Sequence, residues 1–125
     1  MKYALGLALP LLSSFMCLPA QAYELETGTI MICDTQKQVE RFAQLFDGDL
    51  GVTVSVVNTE EHNPSACGMA DVAYVQGPEL GVARSGSHAF RVIPIVVVGA
   101  DTPEGYRAAK PALFFTVVEV EEYTV

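Results

Sequence analysis

This chain has no tryptophan, and its 7 lysines and arginines face 15 aspartates and glutamates. These two shortages argue against one large class of partner. Binding nucleic acid takes cations for the phosphates and aromatic faces for the bases, and an acidic chain is repelled by the phosphate backbone. The same repulsion argues against anionic membrane surfaces and leaves basic proteins or cations as allowed partners. Recognisable catalytic motifs are also missing. There is no G-x-S-x-G, no H-E-x-x-H, no phosphate-binding glycine loop and no EF-hand spacing, so enzymatic activity is not demanded by any constellation. Beyond the N-terminus no apolar run approaches the roughly 20 residues that span a bilayer.

The N-terminus itself reads as an export signal. Lys2 precedes an almost wholly apolar run from Tyr3 to Phe15, and Ala20-Gln21-Ala22 offers small residues where a signal peptidase cuts, so cleavage is expected before Tyr23. Cys17 follows Phe15 and Met16 rather than small residues, which argues against lipidation. Residues 1–22 are therefore a leader and residues 23–125 one domain, periplasmic or secreted, with no membrane contact after cleavage. Losing Lys2, the leader's one charged residue, takes the formal net charge from −8 to −9 and leaves 103 residues, enough for a single core.

Within the mature chain, Thr27–Cys33 reads as a first strand. Thr35 and Gln38 then fit a capping box, with Asp34 beside the positive end of the helix dipole. Val39, Phe42, Ala43 and Phe46 recur at helical spacing, and Gly48 supplies a stop. The stretch Leu50–Val57 alternates valines with Thr53 and Ser55, which favours a strand, while its length and position equally allow a short helix. Asn58–Gly68 is a polar loop with its turn at Asn63-Pro64-Ser65, and Pro64 rules out glycosylation of Asn63.

The remainder is strand-rich: Met69–Val75, Leu80–Arg84, His88–Val98 and Ala112–Val120. Glycine and proline punctuate these strands, including a type I turn signal at Thr102-Pro103-Glu104-Gly105. Phe90–Val98 is apolar on both faces, so it should be covered on both, and Pro94 implies a bulge or an unpaired edge. In the last strand Phe114, Val118 and Val120 share one face, and Glu119 and Glu121 share the other. The order predicts α+β: one or two short helices on a small, mainly antiparallel sheet that curls toward an open barrel.

Cys33 and Cys67 remain after the leader is removed. In an oxidising compartment such a pair is most simply a disulfide, which would tie the first strand and helix to the sheet. Two alternatives compete with it. A free Cys33 at a helix N-terminus would have an acidified thiol, suited to a small redox or hydrolytic enzyme. Met31-x-Cys33 and Cys67-x-Met69, with His62, would suit a soft ion such as Cu(I), against a plainer reading of both methionines as core filling around a disulfide. Glu60-Glu61-His62 reads as a solvated loop, and Glu119, Glu121 and Glu122 as a charged outer face protecting a sheet edge. Asp101 and Glu104 belong to turn chemistry.

The stretches CDTQKQVERF (Cys33–Phe42), NPSACGMADVAYVQGPEL (Asn63–Leu80) and FRVIPIVVVG (Phe90–Gly99) resemble a family of small uncharacterised exported, periplasmic proteins of Gram-negative bacteria. The resemblance covers most of the mature chain. It implies a shared export route and a cysteine pair matching Cys33 and Cys67, and it makes a helix at Leu50–Val57 more plausible than composition suggests, with strand and helix both left open. It brings no catalytic residue, metal or cofactor. The expected role is that of a non-enzymatic domain binding or modulating a basic periplasmic protein, such as a cell-wall lytic enzyme that it inhibits. The alternatives are copper binding and a small enzyme with a reactive cysteine.

Overall fold

A computed structural model describes residues 24–120, so the expected leader at residues 1–22 with Cys17, and Glu121 and Glu122, lie outside the described residues. Strand β1 (Leu25–Cys33) leads into helix α1 (Gln36–Leu45) and helix α2 (Leu50–Glu60). Strands β2 (Cys67–Gln76), β3 (Gly81–Ser85), β4 (His88–Thr102) and β5 (Gly105–Val120) follow. All the strand pairings are antiparallel, in the order β2-β1-β5-β4-β3, and β2 also pairs with the far half of β4. The sheet therefore curls into a ring of β1, β2, β4 and β5, with β3 as a flange and the helices on one outer face. The fold is α+β, as expected.

Helix α1 begins as its sequence dictates. The Thr35 hydroxyl accepts the Gln38 N–H at 3.2 Å, and the Gln38 side chain accepts the Thr35 N–H at 3.1 Å, closing the capping box. Its stripe buries Val39, Phe42 and Ala43. The ambiguous valine run is a helix. Asp49 caps α2 by accepting the Val52 N–H at 3.0 Å, and the Thr53 hydroxyl donates to the Asp49 backbone carbonyl at 2.7 Å. Only Thr53 and Val57 of this helix are buried, so tertiary contact at two positions and a good cap outweigh the β-propensity of its six valines and threonines.

The helix also runs to Glu60, which shortens the expected polar loop. Asn58 at its end fastens the next strand. Its Oδ1 accepts the Cys67 N–H at 2.8 Å, and its Nδ2 donates to the carbonyls of Cys67 and Pro64, both at 3.0 Å.

Two apolar clusters lie on opposite faces of the sheet. Met31, Cys33, Cys67 and Val92 pack with Val39, Phe42 and Val57 under the helices. Val72, Tyr74, Ile93, Ile95 and Val97 fill the inside of the ring, joined by Ile30, Ile32, Phe114 and Val118. Strand β4 serves both clusters, which is why its sequence is apolar on both faces. β5 departs from the expected one-sided pattern, since Phe115 and Val117 pack against the helix-side cluster while Phe114 and Val118 face the ring interior.

Pro94 produces no bulge. It lies opposite Phe115 at the junction where β3 ends and β2 begins, and its carbonyl accepts the Gly77 N–H at 2.8 Å, so the missing donor falls in a local gap in the pairing. The register shift of β4 against β5 lies instead between Val97 and Gly99. Both strands of this hairpin are longer than their apolar cores, because Thr102 pairs with Gly105 across a two-residue turn and extends the ladder past the core.

Candidate functional site

The ring is not uniformly closed. β1 and β5 pair at a single position, Cys33 opposite Phe115. One step further along, the Thr116 hydroxyl donates to the Met31 carbonyl at 2.6 Å, a buried side-chain bond where a ladder would have used backbone. Beyond it the strands part around a cavity of about 310 Å³. β1 contributes Thr29 and Met31, β5 contributes Val117 and Glu119, and Phe42, Phe46 and Phe90 supply an aromatic floor. This slot is the candidate site.

The direction of the backbone along each lip follows from the neighbouring pairings. Cys33 and Cys67 face each other with Cα atoms 4.0 Å apart, the close spacing of a pair that exchanges no backbone hydrogen bonds. By alternation Thr29 and Met31 also turn their N–H and C=O away from β2, toward the slot, as the bond from Thr116 to the Met31 carbonyl shows. On the other lip, Val92 and Pro94 give their carbonyls to Leu80 and Gly77, away from β5. Their partners Val117 and Phe115 therefore point toward β1, and Glu119 follows by alternation. Two strand edges thus face one another with the ladder between them unmade.

Glu119 is the one charged residue among those lining the slot. Its Oε2 lies 2.6 Å from His88 Nδ1, and the His88 ring stands edge-on to Phe46, centroids 5.0 Å apart. Phe46 meets Phe90 in the same T-shaped way at 5.4 Å. On the β1 side, the Thr29 hydroxyl donates to the Asp71 carboxylate. Burial pushes the Tyr74 phenol above its usual range, and the nearby charge of Glu26 adds to the effect. The rim is therefore acidic on both lips.

Cys33 and Cys67 form a disulfide between the paired strands β1 and β2, with an S–S distance of 1.96 Å. The Met31 sulfur lies 3.7 Å from that of Cys33, and Met31 faces Met69 in register, so the sequence spacing does gather four sulfur residues. With both cysteines bonded, two thioethers remain and a thiolate for copper would first require reduction. His62 stands past α2 at a φ of 53°, its N–H donating to the Thr59 carbonyl at 3.2 Å. Among the described residues no group of three His, Cys, Asp or Glu side chains is arranged to hold a metal ion.

Glu60 and Glu61 are not simply loop residues in solvent. Arg41 grips Glu60 through two bonds of 2.8 and 2.9 Å, and Gln38 donates to Glu61 at 2.9 Å, so both tie α2 to α1. The Arg41 hydrogen bonds hold the Glu60 carboxyl below its ordinary range.

Sequence reasoning missed the slot, the Thr116 bond and the aromatic floor. Thr116, a polar residue in an apolar run, was the available signal. No protein-family model matches the chain, and no curated protein or solved structure is significantly similar to it.

Proposed function

We propose that the mature chain is a non-enzymatic domain of the periplasm that binds and modulates another protein of basic character. The observation that carries this is the surface. Val52 of α2, Val82 of β3 and Leu113 of β5 are all more than half exposed, as are Leu25 and Met69, on a chain of strongly acidic balance. Such side chains offer apolar contact area, and the acidic balance favours a basic partner. The disulfide and the two-sided core supply the rigidity that keeps the entropic cost of binding low.

Inhibition of a basic cell-wall lytic enzyme is one concrete form of this role. Among the described residues no helix is long and apolar enough to cross a membrane, and a disulfide is compatible with an extracytoplasmic site. Photo-crosslinking in the periplasm, followed by pull-down, tests the reading. A basic partner whose capture falls as salt concentration rises is expected; recovery of no partner from any surface position overturns it.

A further inference from the structure

Resting on that reading, we propose that the slot between β1 and β5 is the binding site itself, and that its occupant is an extended segment of the partner. The segment would be rich in lysine or arginine with apolar residues between them, and would add as a strand to the open lips.

The argument starts from unmade hydrogen bonds. A strand edge left unpaired is a template for another strand, and sheets protect such edges unless pairing is their use. Elsewhere on this sheet the protection is visible: the exposed outer stretch of β5 carries Lys110 and Pro111. The lips of the slot carry neither lysine nor proline. Thr29, Met31, Val117 and Glu119 turn backbone groups inward, and the pairing that could join Thr29 to Glu119 and Met31 to Val117 is not made.

The seam does not close because the Thr116 side chain takes the Met31 carbonyl in place of the ladder, so the strands splay from the disulfide end outward. An incoming strand would meet backbone donors and acceptors on both lips. Its alternate side chains would drop onto Met31, Phe42, Phe46 and Phe90. At about 310 Å³ the cavity lies at the small end of ligand pockets, sized for anchoring side chains rather than a whole large ligand. Charge selects the sequence. Glu119 lies on one lip, with Glu26 and Asp71 flanking the other, so basic residues are favoured and acidic ones rejected.

The test uses the oxidised mature chain and a synthetic peptide of roughly seven residues alternating lysine with valine. Nuclear magnetic resonance should show the peptide shifting amides of residues 27–31 and 117–119, with inter-strand contacts from its Hα atoms to those of β1 or β5. N-methylation of the peptide's bonded amides should weaken binding at least about ten-fold, because it removes the donors strand addition requires. Glu119→Lys, a change at an exposed side chain, should weaken it several-fold at low salt and less at high salt. Thr29→Pro should abolish it, since its own N–H faces the slot; should that variant fail to fold, the N-methyl peptide decides.

Equal binding of the methylated peptide or of an alternating glutamate peptide overturns the proposal, as does the absence of any shift along the two lips. Photo-crosslinkers placed at Thr29 and at Val56 separate the two levels of the argument. A partner captured from Val56 or another surface position but not from Thr29 leaves protein binding standing and removes the slot, whereas capture from no surface position removes both.

Discussion

Replacing both cysteines with alanine tests what holds this domain together. The disulfide joins residues 34 apart in sequence, the last of β1 and the first of β2, and closes the segment between them, which holds both helices, into one loop. On the chain-entropy estimate a loop of that size is stabilised by about 4 kcal/mol at 25 °C, chiefly because the unfolded chain has fewer states. Cys33 is fully buried and Cys67 nearly so, so the lost sulfur atoms add a packing cost in the same direction. A domain of this size has a margin of roughly 5–15 kcal/mol, so Cys33→Ala/Cys67→Ala should remain folded at 25 °C but melt roughly 15–30 °C lower.

Urea unfolding followed by circular dichroism measures the loss directly. The slope against urea should steepen in the variant, because an uncrosslinked unfolded chain exposes more surface. A reduced wild-type protein should behave like the variant. If the free energies of the oxidised, reduced and substituted proteins agree within about 1 kcal/mol, the constraint on the unfolded chain is not what stabilises this fold.

Other expectations follow from single contacts. Gly99→Ala would place a methyl group 2.6 Å from the Arg107 carbonyl oxygen and against the Tyr106 ring, so calorimetry should show about 1–3 kcal/mol of destabilisation. Thr116→Val keeps the shape but removes the donor to Met31, costing about 1–2 kcal/mol in urea titration, and faster amide exchange should be confined to β1 and β5. Asn58→Ala strips both backbone partners from Cys67 and should cost about 1–3 kcal/mol, with exchange rising at the start of β2. The Glu60 carboxyl, held low by Arg41, contributes stability that is present above its unfolded pKa and is lost as pH falls through the folded value. In Arg41→Gln the Glu60 carbon resonance should titrate at higher pH; an unchanged midpoint would show that the bonds to Arg41 do not form in solution.

Local signals carried much of the architecture. The capping box of Thr35 and Gln38, the apolar stripe of α1 and the double-faced run of β4 are visible because each depends on residues a few positions apart. The Leu50–Val57 stretch is legible only in part. Its side chains favour a strand, and the Asp49 cap together with two burial sites decides for a helix. The hairpin of β4 and β5 outran the expected boundaries because strand ends beyond a core have no apolar pattern to announce them.

By itself the sequence determined where apolar faces alternate and where turns break the chain, since these depend on residue type and spacing. Only the tertiary structure decided that β2 reaches round to β4, that β1 and β5 touch at one point and then part, and that acidic groups flank the gap. Curling a sheet is a sum of small twists and of two register shifts over many residues, and a seam exists only between strands that lie 82 residues apart at Cys33 and Phe115.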